Sequence, residues 1–262
     1  MADEIDYEII GDDMQIVEIE LDPNEAVQAE AGAMAYMGPG IEMQTSMGNE
    51  GGGFFGGLKK GLKRALTGES FFITSFVQKG SGKGHVAFAA PYPGKIIPLD
   101  LTKFGGSLLC QKDSFLCAAR GVEIEVAFTR KLGAGFFGGE GFILQRLTGD
   151  GLAFLHIGGT VIRKDLAVGE TYRVDTGCVA AFTETVTYDI TWSRNFKNAL
   201  FGGEGVVLAT LTGPGTVYMQ SLPFSRLADR IFAASAYSHR DEQTGVAGTG
   251  ILGGLIGGDR SF

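Results

Sequence analysis

Cysteine, proline, histidine and tryptophan are all scarce in this chain of 262 residues, with 3, 7, 3 and 1 copies. Cys110, Cys117 and Cys178 sit in apolar runs and form no C-x-x-C pair. That excludes a disulfide framework and a thiol zinc or redox motif, and it predicts reduced, buried thiols. His85, His156 and His239 share no ligand spacing with one another or with a cysteine, so no metal site is read. Neither G-x-S-x-G nor H-E-x-x-H occurs. With few prolines and no three-residue period, even 42 glycines do not make a collagen. No run of 18 or more strongly apolar residues is present, which excludes an ordinary membrane-spanning helix. Basic residues are also in the minority, 22 against 30 acidic, for a net charge of −8. A nucleic-acid binder displaces counterions with an excess of lysine and arginine, so no nucleic-acid partner is expected. The opening MADEIDYEII lacks the basic and apolar regions of a secretory signal, and a cytoplasmic location is expected.

What is present is enough to fold. A hydrophobic content of 44% excludes general disorder and can fill the core of a chain this long. The chain also resembles itself. FGG turns begin at Phe55, Phe137 and Phe201, at offsets of 82 and 64 residues. LTG turns begin at Leu66, Leu147 and Leu211, at offsets of 81 and 64. Acidic residues lead into small-residue apolar segments at Glu25, Asp113 and Asp175. Markers that keep nearly the same offsets predict three related units, and units this long close around an axis more readily than they stack as a solenoid.

The local pattern is β. Val17, Ile19 and Leu21 alternate with Glu18 and Glu20. Val122, Ile124, Val126 and Phe128 alternate with Glu123, Glu125 and Thr129, and Val186, Tyr188, Ile190 and Trp192 with Thr187, Asp189 and Thr191. A period of two means strands with one buried face. Frequent Gly and Asp turns predict short antiparallel connections and a sandwich- or barrel-like architecture. Two segments break the pattern. Phe55, Leu58, Leu62, Ala65 and Leu66 recur at helical spacing, as do Phe224, Leu227, Ala228, Ile231 and Phe232 after Pro223. The expected fold is therefore all-β: three pseudo-repeated antiparallel units about a pseudo-threefold axis, with short amphipathic helices. The units span about 5–101, 102–168 and 169–235 of a single domain 1–242, and a glycine-rich mobile tail covers 243–262.

The motifs are mostly turns. GGGFFG at Gly51–Gly56 matches the G-x-G-x-x-G of dinucleotide sites, but GAGFFG at Gly133–Gly138 matches too and leads into a strand. Turn geometry explains a motif that recurs with a repeat, so Gly56, Gly57, Gly138, Gly139, Gly202 and Gly203 are read as structural, and no cofactor is expected. Glu140 and Glu204 occupy equivalent GGEG turns, where turn chemistry again outweighs paired acid–base catalysis. No catalytic residue is assigned and no enzyme is expected. The leading functional feature is Lys59, Lys60, Lys63 and Arg64, gathered on one face of the first helical segment. Such a face suits an acidic partner or an anionic membrane, at about 1 kcal/mol per basic residue.

The run GGLKKGLKRALTGESFFITSF, the paired FGGEG turns, YRVDTGCVAAF at Tyr172–Phe182 and GPGTVYMQSLPFSRLADRI at Gly213–Ile231 resemble a widespread prokaryotic family. Its eukaryotic relatives are the mitochondrial altered-inheritance proteins, and the resemblance covers about residues 5–235. It implies an all-β fold similar to the tryptophan RNA-binding attenuator protein, with pseudo-threefold repeats, and it brings no catalytic residues. The combined expectation is a non-enzymatic, self-associating β scaffold, a homo-oligomer that binds a protein partner or lies at a membrane surface. A small-molecule or nucleotide binding module is the alternative.

Overall fold

The structure, a computed structural model, describes residues 1–30, 32–46, 73–130, 142–192 and 207–234. The chain divides into two units, Met1–Phe224 and Ser225–Phe262. An α-helix runs over 224–234, where the spacing after Pro223 predicts one. The helical segment expected around 55–66 and the tail 243–262 lie outside the described residues.

The described part of the first unit is built of antiparallel strands in four sheets. The first sheet has the order β1 (Asp6–Ile10), β2 (Ile16–Leu21), β7 (Gly84–Ala89), β4 (Met34–Met37). The second runs β5 (Ile41–Ser46), β6 (Ile73–Gln78), β3 (Ala26–Glu30), β10 (Phe115–Ala119), β13 (Leu152–Gly158), β8 (Gly94–Asp100). The third runs β11 (Glu123–Arg130), β12 (Phe142–Thr148), β9 (Ser107–Gln111), β16 (Val179–Phe182), β19 (Gly215–Gln220), β14 (Val161–Leu166). The fourth is β15 (Thr171–Asp175), β18 (Val207–Thr212), β17 (Thr187–Trp192). Each sheet ends in two edge strands, so the barrel half of the sequence expectation gives way to packed open sheets. The trios β2–β7–β4, β8–β13–β10 and β14–β19–β16 share one pairing order. Strand β4, and not β3 with its Glu25 lead-in, holds beside β7 the place that β10 and β16 hold beside β13 and β19.

Three apolar clusters lie between successive sheets. Val17, Ile19 and Leu21 of β2 meet Val27, Phe76 and Phe154 of the second sheet. Here the Phe76 and Phe88 rings sit edge to face at 5.2 Å. Leu155 and Ile157, on the opposite face of β13, pack with Leu108, Leu147 and Ala181 of the third sheet. Phe142, Leu144 and Phe182 meet Ile190, Ala209 and Leu211 of the fourth. The simple alternation of β2 reports a strand with one dry face, and its Val17, Ile19 and Leu21 are fully buried. Strands β10 and β16 are buried at every position, because both faces of their sheets are covered. Small residues fill these doubly covered strands, as in FLCAA and VAAF.

Register shifts interrupt four of the described strands. They fall between Met34 and Tyr36, between Phe115 and Cys117, between Val126 and Phe128, and between Val179 and Ala181. The shift in β10 places neighbouring Leu116 and Cys117 in the same cluster, while Phe115 and Ala118 face the other way. It also bends the start of β10 at the edge of the first core.

Phe154 joins the first two sheets. It is fully buried, and the Tyr7 ring meets it edge to face at 5.0 Å. Phe154→Ala is expected to lower unfolding stability by about 3–5 kcal/mol through lost burial and the cavity left behind, read from the urea midpoint at unchanged m-value.

Candidate binding cavity

At one end of the core between the first two sheets, the packing leaves a cavity of about 400 Å³. Its walls come from five places in the fold. Glu30, Gly32, Ala33 and Met34 come from the end of β3 and the start of β4. Ala89 to Tyr92 come from the end of β7 and the turn after it. Asp113 comes from the short 3-10 turn before β10, Phe115 and Leu116 from the bent start of β10, and His156 from β13. Phe224, at the end of the first unit, completes the wall. Most of this lining is apolar.

His156 follows from the alternation of β13. Leu155 and Ile157 belong to the core under the third sheet, so His156 shares the opposite face with Phe154. It is 1% exposed, and neither ring nitrogen has a hydrogen-bond partner. Burial pushes its imidazole down to about 4, and the nearby Tyr92 backbone opposes this without reaching hydrogen-bond geometry. The ring is therefore neutral at neutral pH, with one nitrogen donating and one accepting. Tyr92 is 5% exposed, and its hydroxyl is likewise unpartnered. Burial first, and the Asp113 charge second, push that phenol far above its ordinary value, so it stays a donor. The Tyr92 and His156 rings stand edge to face at 4.4 Å, and Phe224 lies 5.6 Å from Tyr92.

Two glycines make this close approach possible. Gly94 and Gly158 are register partners at the end of the β8–β13 pair. A Cβ on Gly94 would come 2.5 Å from His156 Nε2, and one on Gly158 would come 2.6 Å from the Tyr92 ring. Neither position tolerates a side chain while both rings stay in place.

Several residues singled out in the sequence are not among those described. Lys59, Lys60, Lys63 and Arg64 lie outside the described residues, as do Gly56, Gly57, Gly138, Gly139, Gly202, Gly203, Glu140, Glu204 and His239. The cysteines are all free thiols. Cys110 and Cys117 are buried, which raises both thiols well above their ordinary values and leaves them unreactive. Cys178 is only partly buried, short of the expectation for it. His85 stands on the outer face of the first sheet, 3.5 Å from Glu18 and 3.7 Å from Glu20. No helix among the described residues is long and apolar enough to cross a membrane. Sequence reasoning missed the Tyr92–His156 pair. Its one legible signal is the solitary polar residue in LAFLHIG, the sequence of β13.

The sequence matches the mitochondrial biogenesis AIM24 family over residues 7–222. The chain belongs to this family. An uncharacterised protein of Streptococcus pyogenes serotype M6 is 31% identical over 215 residues, which cover 81% of this chain and 84% of the relative. A crystal structure of a Streptococcus pyogenes protein superposes with a TM-score of 0.69 at 24% identity, covering 88% of this chain and 100% of that one. At that identity the likeness carries the fold alone. The family match takes in all four sheets and every cavity residue except Phe224.

The neutral imidazole has a consequence for acid stability. An unfolded histidine takes up its proton near 6.5, and the folded one resists until about 4. The unfolded chain thus binds more protons within this window, so stability is full above 6.5 and falls as the pH drops toward 4. Thermal unfolding between pH 7 and pH 4 should show this loss, and His156→Phe should reduce its slope. An identical slope in the variant would mean that other groups set the acid response.

Proposed function

We propose that this protein is a non-catalytic binding protein whose cavity at the end of the first core holds a small molecule. One observation carries the reading: Tyr92 and His156 line a mostly apolar cavity, and the hydroxyl of the one and the ring nitrogens of the other are buried without hydrogen-bond partners. A buried polar group left unpaired costs about 1–3 kcal/mol. A ligand that supplies the missing hydrogen bond recovers that cost when it binds. An apolar cavity with a few convergent polar groups is the usual form of a small-molecule site. The non-catalytic part of the proposal rests on the same residues. Tyr92 is held protonated, His156 is held neutral, and Cys110 and Cys117 are buried, protonated thiols. None of these is an activated nucleophile.

Native mass spectrometry of the untagged protein from its own lysate tests this directly. The expected result is a stoichiometric small adduct that is absent from Gly32→Leu. A Cβ at Gly32 meets nothing within 4 Å, so the larger side chain grows into open space at the cavity wall. An adduct retained at full stoichiometry by that variant would place the ligand elsewhere.

A second reading, the self-associating scaffold, is favoured by a different observation. Strands β4 and β5 follow one another around Gly38–Gly40, and each is the edge strand of its sheet. They present Tyr36, Met37 and Met43 at 45%, 42% and 44% exposure. Free edges with apolar side chains are templates for pairing with another chain. On this reading the occupant is a second copy, giving a homo-oligomer, and a protein partner or an anionic membrane would use other surfaces. Met37→Lys should shift the species seen by size-exclusion light scattering toward the monomer. An unchanged mass would remove this corner from the account.

The architecture belongs to the same proposal. Three pseudo-repeated antiparallel units about a pseudo-threefold axis, as the likeness to the tryptophan RNA-binding attenuator protein implies, are supported by the shared pairing order of β2–β7–β4, β8–β13–β10 and β14–β19–β16. The attenuator protein's RNA partner is not part of the proposal. The net charge is −8, and Asp6 and Glu8 pair in register with Glu20 and Glu18 across β1 and β2. The proposed location is the cytoplasm, with contact to a membrane surface resting on Lys59, Lys60, Lys63 and Arg64.

A further inference from the structure

The cavity's chemistry narrows what it takes. We infer that its ligand is a neutral, largely apolar molecule whose one polar group, a carbonyl or hydroxyl oxygen, faces Tyr92 and His156. This inference rests on the small-molecule reading above.

Four features of the walls carry it. First, the polar atoms left unpaired are a phenol hydroxyl and an imidazole, both more than nine-tenths buried and both in the lining. Held uncharged, the Tyr92 hydroxyl is a donor, and the imidazole nitrogen that does not back onto Gly94 adds one more donor or acceptor by tautomer, which matches an oxygen that accepts and, as a hydroxyl, also donates. Second, no lysine or arginine is among the described residues that line the cavity. A carboxylate, sulfonate or phosphate would lose its hydration there without a countercharge, at a cost an uncharged oxygen does not meet. The lining also includes Glu30 and Asp113, and the charge of Asp113 reaches the Tyr92 hydroxyl. A nucleotide is therefore a poor occupant. Third, neither acid is a free charge awaiting a cation, because both already interact within the protein. Fourth, the rest of the wall is hydrocarbon and aromatic, with Met34, Phe115, Leu116 and Phe224 available to an apolar body. A volume of about 400 Å³ holds roughly fifteen non-hydrogen atoms with allowance for imperfect filling.

Position adds to composition. The two glycines that let the rings approach leave no space behind His156 Nε2 or behind the Tyr92 ring edge for another side chain. The polar pair is thus held against backbone on one side, and the cavity is where a partner has room to arrive.

Three fluorescent probes test the inference, the first two matched in shape. The first is 6-propionyl-2-dimethylaminonaphthalene, neutral with one ketone oxygen, whose emission reddens when that oxygen accepts a hydrogen bond. The second is its 6-propyl analogue, which lacks the oxygen. The third is the anionic 8-anilinonaphthalene-1-sulfonate. Each is titrated into the full chain and into Tyr92→Phe, His156→Phe and Gly32→Leu, after thermal unfolding has shown that each variant folds.

The ketone should bind about tenfold more tightly than the propyl compound, the ratio expected for one hydrogen bond to a buried group. That ratio should fall toward one in Tyr92→Phe or His156→Phe, with a blue shift of the bound emission. Gly32→Leu should abolish binding. Should one ring variant fail to fold, the other variant and the ketone-to-propyl ratio still decide.

Two results overturn the ligand class and leave the small-molecule reading standing, provided that Gly32→Leu still blocks binding. One is equal affinity for the ketone and the propyl compound, which removes the oxygen contact. The other is tighter binding of the sulfonate than of the ketone, which removes neutrality. If no probe binds, or if Gly32→Leu changes nothing, the cavity reading falls together with the class.

Discussion

Strands β10 and β13 lie in the middle of a sheet that is covered on both faces, and most of the structure depends on that double burial. One face packs under the first sheet and the other on the third. A strand in this position cannot send polar side chains to water on either side, and its neighbours fix how bulky it can be. The small residues of FLCAA in β10 and the larger ones of LAFLHIG in β13 meet that condition together. The layers outside, down to the stacking of Tyr188 on Phe142 at 5.6 Å and on Phe182 at 5.4 Å, extend the same packing outward.

The cavity is a by-product of how such a sheet must end. At the start of β10 a register shift turns Leu116 and Cys117 to the same side, so the strand bends and Leu116 drops out of the pairing with β13 while Phe115 keeps Leu155 as its partner. Tyr92, from the turn after β7, lines the same cavity as Phe115 and Leu116. Because the sheet is dry on both faces, a histidine on β13 at this point has no water to fall back on. It is held neutral and so takes part only as a hydrogen-bonding group. Burial acts likewise on Tyr92. Charge at the site comes instead from Glu30 and Asp113, both of which already interact within the protein. On the proposed reading, selectivity for an uncharged occupant follows from desolvation, and Tyr92 and His156 orient its oxygen.

The outer surfaces obey different rules. On the exposed face of the first sheet, Glu18 accepts from the Tyr36 hydroxyl at 2.5 Å, Glu20 pairs with Lys83, and His85 stands between the two acids. These groups are wet, and their pairing adds little to stability. They keep the strand edges beside them soluble, while Tyr36 and Met37 leave one corner apolar. A β protein with open sheets must manage every such edge, and here the management is uneven.

The alternation of Val17, Ile19 and Leu21 with two glutamates is a property of the chain, because side chains on a strand point to opposite faces whatever lies nearby. So the sequence by itself determined the β class, the placing of β2, β11 and β17, and the helix after Pro223. It also determined the burial of Cys110 and Cys117, since apolar runs carry their thiols inside. Alternation says that a strand has two faces and not what covers each of them. Only the tertiary structure decided that β10 and β13 are dry on both sides, that the sheets stay open, and that β4 rather than β3 sits beside β7. The same limit hid the cavity. His156 and Tyr92 lie far apart along the chain, and a lone histidine in an apolar strand has a partner in most folds. Whether it has one depends on a bend in β10 and on two glycines facing each other across β8 and β13, which are long-range contacts that no local pattern encodes.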